Sequence, residues 1–243
     1  MTHTLHRRGS AESLSEDYVM LMIQAIGHNE EGHIPKVQEF LRIALRHNAI
    51  NIGSVSMGGM IDKAEEVIAN ASKIGHAVFG NPEDVTAVLK EVKEADLGLS
   101  VVVSGIYEKV DDCLEKAGLK HHTGNFSLGV WGKTEKLPED EVLEITTMCG
   151  HALIAPNLVK AMVKEIKAGP RTHEDAAKLL APQCACGVFN TSRAAKLLKA
   201  MADKYPARRH CLPCGRRNAF PSHFFAAMPL TMLPCLTNRG KLY

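Results

Sequence analysis

The amino-acid sequence predicts an α/β protein, with a largely parallel sheet of about five strands, flanking helices and a helical C-terminal segment. The first observation is an alternation along the chain. Short apolar segments with strand composition are separated by segments in which apolar residues recur at helical spacing. The second is a break after Leu137-Pro138, beyond which the strand-type segments stop and helical patterns continue. We therefore expect βαβ units followed by a group of helices.

Five segments have the composition of strands. Residues 18–25 (YVMLMIQA) are a continuous apolar run, and residues 50–59 (INIGSVSMGG) enter a glycine-rich turn. Residues 76–80 (HAVFG) are a shorter candidate. The consecutive β-branched residues Val101–Val103 predict an interior strand, and residues 125–132 (NFSLGVWG) alternate as a strand does.

Helices are predicted between these strands from apolar spacing and from the residues at their ends. One begins near Pro35, and a second follows the glycine-rich turn. Asn81 is a good N-cap for a third, because a proline and two acidic residues follow it. A fourth covers residues 106–117. Beyond Pro138, Thr172 opens another helix with an arrangement like a capping box.

The chain is expected to have three parts. Residues 1–17 form a flexible N-terminal arm. Residues 18–205 form a single α/β domain, whose helical segment covers residues 138–205. Residues 206–243 hold five of the eleven prolines, contain no Asp or Glu and show no periodicity, so we expect a disordered basic tail.

The charge distribution argues against nucleic acid as a partner of the body. Six basic side chains lie in the tail, and without them residues 1–205 carry 23 basic and 27 acidic side chains. No apolar run approaches the length of a membrane-spanning helix. Glu12, Glu16 and Asp17 argue against a transit peptide. We expect a cytoplasmic protein with a small-molecule partner and no membrane contact, and the oligomeric state stays open.

Cysteines in the body are the most informative residues for chemistry, because an intracellular chain of this length has no need of a disulfide framework. Cys184 and Cys186 lie on irregular backbone between Pro182 and Gly187. From there both thiolates can reach one ion, and metal binding keeps them deprotonated.

Cys149 is followed by a glycine and by His151, so these residues and the Cys184–Cys186 pair together offer three thiols and one imidazole. Three thiolates leave one corner of a cluster open, which His151 or Cys113 would fill. Structural zinc sites more often show paired C-x-x-C motifs, and we therefore favour an iron–sulfur cluster, with zinc as the alternative. Burial as small apolar side chains is the competing explanation for these cysteines, above all for Cys113, whose neighbours at helical spacing are apolar.

Two groups of histidines are candidates for acid–base catalysis. His28 and His33 bracket two glutamates in the loop after the first strand, and loops at the carboxyl ends of parallel strands commonly bind ligands. His122 precedes a predicted strand and could act as a general base, as could its neighbour His121. Solvent exposure explains all of these histidines equally well.

Two strand-to-helix turns are candidates for a ligand rim. The residues concerned are Gly53, Ser54, Ser56, Gly58 and Gly59 in the first turn, and Ser104 and Gly105 in the second. Backbone N–H groups at such turns favour anions. The first turn lacks the Lys and the Ser or Thr of a P-loop, and ordinary glycine turns are the competing explanation.

These features support three hypotheses. The first is a protein that binds an iron–sulfur cluster or another thiolate-ligated metal, for redox or Lewis-acid chemistry on a small molecule. The second is a metal-free enzyme in which Cys149 is the nucleophile and His122 or His151 is the base. The third is a non-catalytic module that binds a small ligand through the glycine turns. The sequence leaves open which of them applies, and whether the protein is an enzyme.

Overall fold

The structure is a computed structural model, and it describes residues 3–54, 58–59 and 61–204. The chain divides into two units, Met1–Ala207 and Arg208–Tyr243, and all described residues belong to the first. The predicted tail over 206–243 lies outside the described residues, as does Ser56 of the first predicted ligand turn.

An antiparallel sheet forms the centre of the fold. Its strands are β1 (Tyr18–Ile23), β2 (Asn51–Ser54), β3 (Gly58–Gly59), β4 (Ile74–Phe79) and β5 (Ser100–Ser104). They lie in the order β3-β2-β4-β1-β5, and every neighbouring pair is antiparallel. Because β3 is a two-residue pairing at one edge, the body of the sheet consists of the other four strands.

The prediction of a largely parallel sheet is wrong. Strands joined by a helix, β1 with β2 and β4 with β5, do run parallel to one another, as the alternation in the sequence implies. Each connection passes over one position in the sheet, however, so that β4 lies between β1 and β2, and β1 lies between β4 and β5. This interleaving is the split βαβ arrangement, and it makes every adjacent pair antiparallel. Apolar spacing indicates which segments are strands, but it carries no information on which strands are neighbours.

Helices lie on both sides of the sheet. The first part of the chain contributes α1 (Ala11–Leu14), α2 (His33–Arg46), α3 (Ala64–Ala69), α4 (Pro82–Ala95) and α5 (Tyr107–Lys116). The segment predicted as helical contains α6 (Asp140–Thr146), α7 (Pro156–Ala168), α8 (His173–Leu180) and α9 (Thr191–Lys204). Two predicted N-caps are confirmed, because the Asn81 side chain accepts a hydrogen bond from the Asp84 N–H at 2.8 Å and the Thr172 hydroxyl accepts one from the Asp175 N–H at 3.1 Å. None of the helices in the described part of the chain is long and apolar enough to cross a membrane.

The two faces of the sheet pack against different helices. In β1, the side chains of Tyr18, Met20 and Met22 point to one face and those of Val19 and Leu21 to the other, as the two-residue period of a strand requires. Buried residues of α2, α4 and α5 cover the first, which we call the α2 face. Buried residues of α6 to α9 cover the second, which we call the α9 face.

The N-terminal segment, for which the sequence predicts a flexible arm, lies in contact with β5 and α9. Thr4 is buried, and its hydroxyl oxygen is 2.7 Å from that of Ser104 in β5. The Asp17 side chain is fully buried and forms ion pairs with Arg7 and with Arg193 of α9. Because a buried charge is tolerated only when it is paired, this network fixes the segment against α9.

Two predicted strands differ in the structure. The strand with the three consecutive valines is β5, which lies at the edge of the sheet and not in its interior, and these valines are half-buried.

Residues 125–132 form no strand. Gly129 has a φ of 87°, and the Trp131 indole N–H donates a hydrogen bond to the Leu128 carbonyl at 2.9 Å. The positive φ breaks the extended backbone, so the apolar alternation does not produce a strand here.

Candidate metal centre

Three cysteines and three histidines come together on the α9 face, and we call them the Cys/His cluster. Its members are Cys149, His151, Cys184, Cys186, His76 and His3. The first two lie in the turn after α6, the next two in the turn between α8 and α9, His76 on β4, and His3 in the N-terminal segment. The structure thus brings together four of the five metal ligands that the sequence predicts, and adds two imidazoles to them.

The two turns have the same spacing, and their side chains face each other in pairs. One residue separates Cys149 from His151, and one residue separates Cys184 from Cys186. The Cys184 thiol donates a hydrogen bond to the Cys149 sulfur, and the Cys186 sulfur is 3.4 Å from Nδ1 of His151. Each turn leads into a helix, α7 or α9, and these two helices pack against each other.

The surroundings of the three thiols differ, and so do their pKa values. The hydrogen bond from Cys184 lowers the pKa of Cys149 to about 6, and the backbone N–H groups of Leu153 and His151 act in the same direction. The pKa of Cys184 is raised, because its proton is held in that hydrogen bond and because burial disfavours a second negative charge. Burial also raises the pKa of Cys186. Cys149 is therefore the first of these thiols to ionise.

One ring nitrogen of His76 forms a hydrogen bond, and the other has no partner among the described residues. The side chain is 1% exposed, and its ring donates a hydrogen bond to the Gly53 carbonyl on the neighbouring strand β2. Nδ1 is buried and has no hydrogen-bond partner among the described residues, so the donor is Nε2. Burial lowers the pKa of His76 to about 4. The imidazole is therefore neutral at neutral pH, and the lone pair of Nδ1 is available.

His3 completes the cluster from the N-terminal segment. Its ring stacks on that of His151 with the centroids 4.7 Å apart, and it lies edge-on to the ring of His76 at 5.8 Å. Burial is the main cause that lowers the pKa of His3, and the neighbouring His151 lowers it further. Its Nε2 is buried and unpartnered in the part of the chain that the structure describes. Two buried ring nitrogens without a hydrogen bond thus lie in one place, and such atoms are rare in proteins unless they bind a water or an ion.

Donor atoms of His3, His76 and Cys186 lie within 4.8 Å of one another. Donors at the usual zinc–nitrogen and zinc–sulfur distances in a tetrahedral site are about 3.4 to 3.6 Å apart. Side-chain movements of about 1 Å would therefore bring all three to a single ion. The Gly53 carbonyl that holds the second ring nitrogen of His76 is the kind of partner that metal-bound histidines usually have.

Two glycines permit the close backbone contacts on which the cluster depends. A Cβ at Gly150 would lie 1.4 Å from the carbonyl oxygen of His3, and a Cβ at Gly53 would lie 2.1 Å from that of Cys186. Atoms cannot approach so closely, so any other residue would force the backbone apart. Gly53, for which the sequence predicts a place in a ligand turn, is therefore the contact point between β2 and the turn that carries Cys186.

Cys113, the fifth predicted ligand, is not part of the cluster. It lies on α5 at the α2 face, is 1% exposed among apolar residues, and donates a hydrogen bond from its thiol to the Pro82 carbonyl at 3.4 Å. The sheet separates it from the other three cysteines, which pack on the α9 face. Its apolar neighbours at helical spacing account for this position.

The predicted ligand rim does not assemble. Ser54, at the end of β2, is in register with Gly75 near the start of β4, whereas Ser104, at the end of β5, is in register with Val19 near the start of β1. Because β2 and β5 run in opposite directions, their two turns lie at opposite ends of the sheet. A rim shared by both turns requires the parallel sheet that the structure does not have.

The individual turn residues have structural contacts instead. The Ser54 hydroxyl accepts a hydrogen bond from the Ser72 N–H at 3.1 Å. Gly58–Gly59 form β3. Gly105 lies so close to the ring of Tyr18 that a Cβ there would be 2.8 Å from it.

The predicted catalytic histidines lie outside the cluster. His28 is exposed in the loop after β1, and His33 begins α2, where its Nδ1 contacts the Glu30 carbonyl. His122 is exposed in the segment after α5 and lines a groove beside β5. The histidine that acts electrostatically on the Cys149 thiol is His151, the alternative base in the nucleophile hypothesis.

His3 and His76 are the two members of the cluster that the sequence prediction missed. The sequence did contain an indication for His76. It lies two residues before Val78 in an apolar strand, and residues two apart in a strand point to the same face of the sheet, here the α9 face. For His3 there was no local signal, since its place depends on the path of the N-terminal segment across the sheet.

No protein-family model, no curated protein and no solved structure matches the chain.

Proposed function

We propose that this protein binds a single first-row transition-metal ion in the Cys/His cluster, with His3, His76 and Cys186 as ligands and zinc as the first metal to test. One observation carries the proposal. Three donor atoms lie within 4.8 Å of one another, and two of the residues have a buried ring nitrogen without a partner among the described residues. A set of two imidazoles and one thiolate suits zinc, copper or iron.

The other members of the cluster act as outer partners of this site. His151 Nδ1, at 3.4 Å from the Cys186 sulfur, would donate a hydrogen bond to the thiolate ligand and so adjust its strength. Cys149 and Cys184 are hydrogen-bonded to each other and lie beside the ligands. An iron–sulfur cluster on Cys149, Cys184 and Cys186 is the second form of the metal hypothesis, and the iron and sulfide contents distinguish the two.

Three protein ligands leave a fourth position for water or substrate, which is typical of catalytic zinc. His151 is exposed although its neighbour Cys149 is buried, so the cluster reaches the surface at this residue. A small molecule could approach the ion from that side. We therefore infer Lewis-acid chemistry on a small molecule as the role of the site.

The first test is metal stoichiometry and affinity in a chain whose three tail cysteines, Cys211, Cys214 and Cys235, are replaced by Ser. Zinc and cobalt are added to the metal-free protein, and bound metal is measured together with the thiolate-to-cobalt charge-transfer absorption. We expect one ion per chain. Because the ion binds only the folded protein, zinc at about 100 times its Kd should raise the free energy of unfolding by about 2.7 kcal/mol.

Matched variants locate the site. Cys186→Ser should abolish the charge-transfer absorption, and His76→Gln should weaken metal binding. Cys113→Ser and His122→Gln should change neither, because these residues lie outside the cluster. A protein that binds no stoichiometric metal, or one that binds it equally well after Cys186→Ser, would contradict the proposal. Iron with an equal amount of sulfide would replace it by the cluster hypothesis.

A second function, a cysteine nucleophile, is favoured by the surroundings of Cys149. The Cys184 thiol and two backbone N–H groups point at its sulfur, an arrangement that stabilises a thiolate. Metal-free protein should then be alkylated at Cys149 faster than at any other body cysteine, as mapped by mass spectrometry over time. Cys184→Ala should slow this reaction, because it removes a donor to the sulfur. Equal, slow labelling of all four body cysteines would exclude the nucleophile.

A further inference from the structure

The segment between α5 and α6 exposes a row of large apolar side chains. Phe126, Leu128, Val130 and Trp131 are 65%, 84%, 48% and 83% exposed, and we call residues 126–131 the apolar segment. From the usual area of aromatic side chains, its two aromatic residues alone present roughly 300 Å² to solvent. On a typical monomer the largest apolar patch measures about 300 to 600 Å² and often has a function, so this patch is a candidate contact surface.

The base of the apolar segment is held in place. The ring of Phe126 lies 5.1 Å from that of Tyr107 on α5, and the Ser127 hydroxyl is 3.1 Å from Nδ1 of His6 in the N-terminal segment. The indole N–H of Trp131 donates a hydrogen bond to a carbonyl within the segment and closes its tip into a turn. The side chains of Leu128 and Trp131 at this tip are the most exposed of the segment.

A groove lies beside this segment, along the outer edge of β5. Its volume is about 610 Å³, and it is bounded by α4, α5, Val101–Val103 and residues 119–125. Residues of β5 line the groove, and β5 is an edge strand among the described strands, so its outer edge offers backbone N–H and C=O groups there. Apolar side chains such as Leu89 and Leu114 form its walls. A cleft of this volume is large enough for several large side chains.

We infer that a second copy of this chain fills the groove, and that the protein is a two-fold dimer in which each apolar segment inserts into the groove of its partner. Asn125 lines the groove and Phe126 begins the segment, so groove and segment are neighbours and a two-fold axis can bring each opposite the other. Each segment and the surface it covers would bury roughly 600 Å², and two such contacts roughly 1,200 Å², which is where specific interfaces begin. The dimer does not depend on a bound metal.

The single tryptophan makes the test direct. Sedimentation of the full chain should show a dimer that dissociates on dilution, and the emission of Trp131 should shift to shorter wavelength as the dimer forms. Leu128→Ser should raise the dissociation constant at least about 30-fold, as expected for a residue at the centre of an interface. Leu179→Ser is the matched control, because Leu179 is also a partly exposed leucine, 45% exposed on α8.

A pair of variants tests the reciprocal geometry. Ser100 is exposed at the start of β5 and lines the groove, so Ser100→Trp should fill it. Ser100→Trp and Leu128→Ser should each fail to self-associate, yet a mixture should form a heterodimer, because one intact segment then meets one intact groove. Thermal unfolding checks that both variants are folded, and Trp131→Ser provides a second variant of the segment. A wild-type chain that is monomeric at every concentration, or a dimer unaffected by Leu128→Ser and Trp131→Ser, would overturn the inference.

Discussion

Replacing Gly150 by alanine tests whether the N-terminal segment belongs to the Cys/His cluster. The added Cβ would lie 1.4 Å from the His3 carbonyl oxygen, whereas ordinary contacts begin at 3.4 Å. The backbone at His3 would have to withdraw by about 2 Å, because interiors are close-packed and a methyl group cannot rotate away. The opposing atoms are backbone atoms, which have no alternative rotamer either.

A withdrawal of this size has two consequences. The His3 ring leaves its position beside His76, so that the proposed metal loses a ligand, and the bond between Thr4 and Ser104, at 2.7 Å, is broken or strained. Overpacking together with the loss of a buried hydrogen bond costs about 1 to 3 kcal/mol. For a domain of about 200 residues this lowers Tm by about 2 to 12 °C. Zinc affinity should fall at least about 10- to 100-fold, the usual effect of losing an outer partner of a metal site.

The assay is thermal unfolding with a chelator present, followed by zinc affinity from competition with a chromophoric chelator. Gly124→Ala is the control, because a Cβ there has its nearest contacts at 3.7 and 3.9 Å. In a chain without residues 1–5, Gly150→Ala should have no effect on Tm, since the clashing carbonyl is absent. If Gly150→Ala unfolds and binds zinc as the wild type does, or if its destabilisation persists without residues 1–5, the reasoning is refuted.

Three further predictions concern the frame around the site. Asp17→Asn leaves buried Arg7 without its ion-pair partner and leaves buried Arg193 with only Glu144, at 3.9 Å, and it should lower the free energy of unfolding in urea by about 3 to 5 kcal/mol. Lys196→Met, which breaks an exposed ion pair, should cost about 1 kcal/mol or less, and equal effects would contradict the buried network. Asn81→Ala removes the N-cap of α4 and should cost about 1 kcal/mol in the same assay, and an unchanged urea midpoint would show that the cap is not needed. Burial raises the pKa of Tyr18 to about 12, above the unfolded value of about 10, so its contribution to stability is complete below pH 10 and is lost as the pH rises toward 12. Tyr18→Phe should reduce this alkaline loss of stability, and a variant with the same pH dependence as the wild type would argue against it.

Local structure followed from local sequence. Asn81 and Thr172 cap their helices because each side chain reaches an N–H group three residues along the chain. Val101–Val103 form a strand because β-branched side chains fit a pleated surface. Residues 125–132 mark the limit of such reasoning, since Gly129 adopts a positive φ within an alternating pattern and no strand results.

The candidate site was accessible from the sequence only in part. The spacing of Cys184 and Cys186 keeps both thiols on one turn, and such a turn is a local feature. That Cys149 meets Cys184 depends on the packing of α7 against α9, and that His3 meets His76 depends on where the N-terminal segment crosses the sheet. Cys113 shows the converse, because its thiol is chemically equivalent to the others and yet lies on the opposite face.

By itself the sequence determined which segments are strands and helices, apart from residues 125–132, and also where several helices begin and which turns carry paired donor atoms. Tertiary structure alone decided that the sheet is antiparallel, that the glycine turns lie apart, and that the cluster includes His3 and His76. The physical reason is how far apart along the sequence the interacting residues lie. Helix and strand patterns arise between residues a few positions apart, whereas strand neighbours and metal ligands are chosen by the burial of whole faces and by backbone contacts such as that of Gly150 with His3.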